Sequence, residues 1–129
     1  MGATRDVALT ELPISGISIN AASGGAAAVA VVPSDSGVIF VNKYVTDHTT
    51  YTLPDVEDGK GKWFWFFNAQ TTKTIIVTAG ADTAIMVCTG HANYDKMTDS
   101  HYIGASGFVF GDGDKYYFVE IAPTWTAGT

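Results

Sequence analysis

Apolar and polar positions along this chain alternate in short runs, and no stretch sustains a helical period of 3.6 residues. The densest run is Trp63-Phe64-Trp65-Phe66-Phe67, ending at Asn68. In a strand, Trp63, Trp65 and Phe67 point to one side and Phe64 and Phe66 to the other, so both faces are aromatic. Such a strand belongs inside a packed β structure or at a subunit interface. A buried helix is the competing reading, but the run is short and its residue types suit a pleated surface. Ile75-Ile76-Val77 repeats the logic, and the polar segment Asn68–Lys73 between the two reads as a hairpin loop. The pair predicts a core hairpin in which at least two of the five aromatics are nearly inaccessible.

The rest of the chain predicts short strands punctuated by turns. Ala28–Val32 reads as a strand, Pro33–Gly37 as a turn and Val38–Val41 as the next strand. Tyr44-Val45 and Thr49–Leu53 read as extended, and Asp55–Lys62 as a polar loop after Pro54. Asp82–Cys88 fits a strand or a short helix. Residues 89–107 are the least regular part and are expected to form a surface loop. Phe108–Phe110 and Lys115–Ile121 flank Gly111-Asp-Gly-Asp114, a strong hairpin signal. Residues 122–129 form a tail carrying Trp125, expected to be exposed. The fold class expected is all-β: one small β-sandwich or barrel of short antiparallel strands over residues 29–129, preceded by an extended N-terminal segment.

That segment, residues 1–28, carries the weak apolar alternation Leu12, Ile14, Ile17, Ile19, interrupted by Pro13 and Gly16 and followed by the Gly/Ala-rich stretch Asn20–Ala28. Pro13 cannot donate to a ladder, so an edge strand or a free arm is expected rather than a central strand. As an arm with a Gly/Ala hinge, it would add a strand to a neighbour's sheet edge, which makes Leu12, Ile14, Ile17 and Ile19 the candidate partner interface.

Length and charge narrow the function. The 129 residues suffice for one domain with its own core. Charged residues make up 16% and hydrophobic ones 47%, leaving much neutral surface of the kind that packs against other subunits. A net charge of −6 with seven scattered basic residues argues against nucleic acid as a partner. The one cysteine, Cys88, excludes an intrachain disulfide framework. No basic region followed by an apolar run marks a secretory signal. Val29–Val32 is too short to span a bilayer, so no membrane partner is expected.

No constellation of catalytic residues stands out. Cys88, His91 and His101 are metal-ligand types, but a structural zinc site needs four ligands at recognisable spacing. Asp112 with Asp114, or Asp55 with Glu57 and Asp58, are candidate calcium ligands that complete no EF-hand loop. Turn chemistry accounts for Asp112 and Asp114 without an ion. Ser100-His101 is not a triad, Asp95 and Asp99 read as ordinary surface carboxylates, and no phosphate- or dinucleotide-binding glycine motif is found. Neither enzymatic activity nor a cofactor or metal is expected.

Several stretches carry a resemblance in combination: Val32-Pro33-Ser34-Asp35-Ser36-Gly37, then Tyr51-Thr52-Leu53-Pro54, Gly61-Lys62, the aromatic strand, Thr74–Val77, Gly80-Ala81-Asp82, and Gly113-Asp114 before Lys115–Val119. Their order resembles small β modules of tailed-bacteriophage virion proteins, most of all capsid decoration (cement) proteins. It departs from them where Tyr116-Tyr117 replace the Trp of the last strand, and in the polar stretch 89–107. The resemblance implies a structural subunit made in the host cytoplasm. It would bind the major capsid protein on the outer surface of the virion head, as a small oligomer such as a homotrimer, with no catalytic residues. A short chain suits a stand-alone decoration subunit. Two other readings remain open. One is a head-fibre or tail-fibre module touching a host receptor through the 89–107 stretch. The other is a small carbohydrate-binding β-sandwich stacking sugars on Trp125 or the tyrosine pair.

Overall fold

The computed structural model describes residues 14–79, 86–88, 91–94, 96–99, 103–122 and 124–128, with the backbone alone for 91–94 and 96. Among the described residues there are twelve strands: β1 (Gly16–Asn20), β2 (Ala28–Ala30), β3 (Val38–Asn42), β4 (Thr49–Thr52), β5 (Trp63–Asn68), β6 (Ile75–Thr78), β7 (Met86–Cys88), β8 (His91–Tyr94), β9 (Lys96–Asp99), β10 (Ser106–Gly111), β11 (Tyr116–Ala122) and β12 (Trp125–Gly128). The all-β expectation holds. The strands form two sheets, one of seven in the order β1-β3-β5-β10-β11-β7-β8 and one of five in the order β12-β9-β6-β4-β2.

The winding differs from the expected antiparallel sandwich or barrel. Strands β1 to β6 alternate between the sheets, odd ones in the first and even ones in the second. Neighbours pair in parallel: β1 with β3 with β5, and β2 with β4 with β6. Each β-to-β step therefore crosses the core, and the chain coils as a solenoid. The hairpin expected from Trp63–Phe67 and Ile75–Val77 does not form, because β5 and β6 lie in opposite sheets. What separates them is a corner, residues 69–74. Sheet crossing wins because β5 has partners on both edges already, β3 and β10.

Two devices fix the corners. On entering the seven-stranded sheet the chain passes Gly37 (φ 88°) and Gly61 (φ 75°), left-handed positions that suit glycine. The Gly37 N–H donates to the Trp63 carbonyl at 2.9 Å, and the Trp63 N–H donates to Ser36 Oγ at 3.0 Å, so successive corners are tied together. On leaving that sheet, β1, β3 and β5 each end in asparagine, and Asn20, Asn42 and Asn68 stand in register. Asn20 Nδ2 donates to Asn42 Oδ1 (3.0 Å), Asn42 Nδ2 to Asn68 Oδ1 (3.4 Å), and Asn68 Nδ2 to Asp99 Oδ2 (2.8 Å). The ladder thus runs one way and ends on a buried carboxylate, which also accepts the Ile75 N–H at 2.9 Å. At the other end, Asn20 exchanges two 2.8 Å bonds with the backbone of Ala26, closing the ladder within its own coil.

The second half adds antiparallel strands to the coil. The hairpin expected around residues 111–114 is present as β10–β11, with Gly111 opposite Tyr116. Asp112 Oδ1 accepts the N–H groups of Asp114 and Lys115, both at 2.8 Å, which is the turn chemistry read from the sequence. The surface loop expected over 89–107 is instead largely strand. β8 pairs with β7, and β9 inserts between β6 and β12 with Met97 and Asp99 buried. Trp125 likewise belongs to a strand and is 6% exposed, its ring edge-on to Phe118 with centroids 4.8 Å apart. Its Nε1 donates to the Ser106 carbonyl at 3.1 Å, giving the indole the partner that burial demands. Of the two outcomes expected for residues 1–28, an edge strand or a free arm, the described part forms the first: β1 is an edge strand of the seven-stranded sheet, and β2, which begins at Ala28, is an edge strand of the five-stranded one.

One core lies between the sheets. Phe40 and Phe66 stack at 5.4 Å, and Tyr51 from the opposite sheet tilts against both at 5.5 and 5.2 Å. Phe64, Ile75, Val77, Met86, Val109 and Tyr116, all fully buried, belong to it as well.

Candidate interaction face

Strand alternation gives the seven-stranded sheet an inner and an outer face. Inward go Phe40, Phe64, Phe66, Val109, Tyr116 and Phe118, all buried in the core. The outer face of a sheet packed on one side is ordinarily polar. Here the cross-strand register places Ile17, Ile39, Trp65, Phe108 and Val119 in one row. A second row reads Ile19, Val41, Phe67, and a third Trp63, Phe110, Tyr117, Val87. None of these positions carries a charge.

The aromatic members pack on one another along the surface. Trp63 stacks on Phe108 at 5.3 Å and Phe110 on Tyr117 at 5.2 Å, while Trp65 meets the Phe108 ring edge-on at 5.9 Å. This mutual cover buries Trp63, but it leaves Ile17 65%, Ile19 56%, Val119 46% and Phe67 36% exposed. On the rim, the Tyr117 hydroxyl donates to Asp112 Oδ2 at 2.6 Å. That bond holds the phenol above its ordinary pKa. Desolvation works against the Asp112 carboxylate, but the bonds from Tyr117, Lys115 and Asp114 prevail and hold it below the usual range. An apolar surface of this kind is a candidate site of association.

The expected interface residues fall partly here. Ile17 and Ile19 belong to the face as the outer positions of β1, paired to β3 rather than free. Ile14, just before β1, is 53% exposed, and Leu12 lies outside the described residues. The larger part of the face, Trp65, Phe108 and Val119 with their row neighbours, was not singled out as an interface. The signal was present: the doubly aromatic strand 63–67 implied that something covers each face.

Among the described residues no three His, Cys, Asp or Glu side chains come together. Cys88 is buried in β7, and desolvation, with a smaller push from Glu120, raises its thiol pKa, as suits an inert core residue. His101, Asp95, Ser100 and the side chain of His91 lie outside the described residues. Asp112 spends its carboxylate on the turn and Tyr117. Asp55 and Asp58 build a turn through their backbones, the Asp58 N–H donating to the Asp55 carbonyl at 2.9 Å, with Glu57 exposed between them. Asp99, expected on the surface, is instead the buried end of the asparagine ladder. The sugar-stacking platform is also lost: Trp125 and Tyr116 are buried, and Tyr117 lies flat against Phe110. The described residues include no helix long and apolar enough to cross a membrane. Compared with protein-family models and with curated proteins, the chain matches none of them.

Proposed function

We propose that this protein is a structural subunit of a bacteriophage virion, a capsid decoration protein that sits on the outer surface of the head and strengthens it. The observation that carries this reading is the uncovered apolar face of the seven-stranded sheet. Contact with another protein would cover that face and remove its apolar surface from water. Asp112 is engaged in a turn, Asp99 in the ladder and Cys88 in the core, which fits an assembly role. Decoration needs no chemistry: contacts repeated over a shell stabilise it by mass action, because each bound subunit favours the assembled state over the dispersed one. The motif order from Val32 to Val119 supports the virion setting.

Immunogold labelling of virus particles with antibody to this chain tests the proposal. Label distributed over the outer surface of the head is the expected result. Label confined to the tail or its fibres assigns the chain to a receptor-contacting module instead. Unlabelled particles, in a preparation where the antibody detects the free chain, overturn the virion reading.

A further inference from the structure

We propose that the outer face of the seven-stranded sheet is covered by a second copy of this chain, the two faces packing against each other about a two-fold axis. The inference names the occupant of the face on which the assembly reading rests. It does not depend on the virus: a dimer remains a dimer if the chain never touches a head.

The first argument is size. Six strands carry the face, β1 through β7 in sheet order. At about 4.8 Å between strands and about 3.4 Å per residue, a patch five residues long covers about 500 Å² in projection. Two such patches closed on each other remove about 1,000 Å² of projected surface, and the relief of the side chains adds to the accessible area. That meets the lower bound for a specific interface.

The second argument is the arrangement of side chains. Aromatic residues occupy the middle of the face, on β5 and β10, and aliphatic ones lie on both flanks, Ile17 and Ile19 on β1 and Val119 on β11. A two-fold axis lying between the faces and running midway between β5 and β10 sets β5 of one copy over β10 of the other, β3 over β11 and β1 over β7. Aliphatic flank then meets aliphatic flank, and the rings of Trp65 and Phe108 meet at the centre. The face is complementary to itself, which is what an isologous contact requires, and such a contact closes at two copies.

The third argument is charge. The chain carries −6, so two copies repel at long range. The rows of the face hold no charged side chain, so two copies can meet there without setting charge against charge. A basic partner would gain nothing from it, because there is no carboxylate in the rows to pair with.

Sedimentation velocity of the purified full-length chain across a concentration series is the test. The chain of 13.6 kDa is expected to sediment at twice its mass at micromolar concentration. Val119→Lys and Phe67→Lys place a charge at half-exposed positions, where the monomer fold tolerates it, and each is expected to weaken dimerisation at least tenfold. A readout on the unaltered protein guards against a variant that fails to fold. Trp63 and Trp125 are buried, so acrylamide quenching of fluorescence reports chiefly on Trp65, and it should rise as the protein is diluted through dissociation. A monomer at all concentrations overturns the proposal, as does a trimer or an open-ended series. A dimer that both lysine variants leave unchanged, or quenching that does not respond to dilution, places the contact elsewhere and overturns it too.

Discussion

Replacing Asn42 tests the corner ladder, and through it the coiled path of the chain. Its side chain is fully buried. Oδ1 accepts from Asn20 Nδ2 and Thr49 Oγ1, both at 3.0 Å, and more distantly from the Tyr44 N–H at 3.4 Å, while Nδ2 reaches Asn68 Oδ1 at 3.4 Å. Several partners have second bonds: Asn20 Nδ2 keeps the Ala26 carbonyl at 2.8 Å, and Asn68 Oδ1 keeps the Gln70 N–H at 3.0 Å. Asn42→Ala therefore forfeits two good bonds and two long ones without orphaning most of the groups involved. At about 0.5–1.5 kcal/mol for each good bond, plus a small cavity, the loss is about 2–4 kcal/mol. Asn42→Asp is the sharper arm. A carboxylate keeps the three acceptor contacts but sets an oxygen against Asn68 Oδ1. The Asn68 amide cannot turn over to meet it, since its Nδ2 is held by the Lys73 carbonyl and Asp99, both at 2.8 Å.

Burial and that repulsion raise the folded-state pKa of the introduced carboxyl above its unfolded value of about 3.9. A group so raised imposes no penalty below the unfolded pKa, and the penalty grows as pH rises through the folded one. Urea unfolding followed by tryptophan fluorescence, at one fixed protein concentration and at pH 5 and pH 8, measures both effects. Asn42→Asp should be more destabilised at pH 8 than at pH 5, relative to the unaltered chain at each pH. If Asn42→Ala costs under about 0.5 kcal/mol, or Asn42→Asp equals the unaltered chain at pH 8, the ladder is not the corner device argued here.

The two fully buried tyrosines should respond oppositely to loss of their hydroxyls. Tyr116 Oη donates to the Pro54 carbonyl at 2.6 Å, so Tyr116→Phe should cost about 1–2 kcal/mol, whereas the Tyr51 hydroxyl has no partner among the described residues and Tyr51→Phe should be neutral or stabilising by urea titration. Desolvation raises both phenols above their ordinary value, with the charges of Asp55 and Asp58 adding at Tyr116, so the stability they contribute is present below about pH 10 and lost as pH rises beyond it; Tyr51→Phe should blunt that alkaline loss in a pH series. Gly107 lies against the Phe118 ring, where an added Cβ would overlap it, so Gly107→Ala should cost about 1–3 kcal/mol by thermal or urea unfolding, and an unchanged melting temperature would contradict the packing.

The sequence determined what is local. β-branched and aromatic runs set most of the strands, Gly111–Asp114 set the β10–β11 turn, and the doubly aromatic run at 63–67 set a strand with aromatic side chains on both faces. Period two also settled which side chains share a face, since it needs no knowledge of the neighbours. Only the tertiary structure decided which strands are neighbours. A corner and a hairpin are both short polar stretches, so Asn68–Lys73 reads alike for either, and the parallel pairing of β5 with β3 depends on residues more than twenty positions away. The coil does leave a trace, asparagines at 20, 42 and 68 each closing an apolar run, with prolines at 33 and 54 closing two of the strands between. Steps of 22 and 26 residues differ enough to hide that repeat until the backbone brings the three amides into line. Trp125, Met97 and Asp99 look like parts of a tail and a loop because their burial comes wholly from distant partners: Phe118, Val77 and Asn68. The outer face shows the same division. Its apolar members could be named strand by strand, but their union into one surface exists only once β1, β3, β5, β10 and β11 lie side by side.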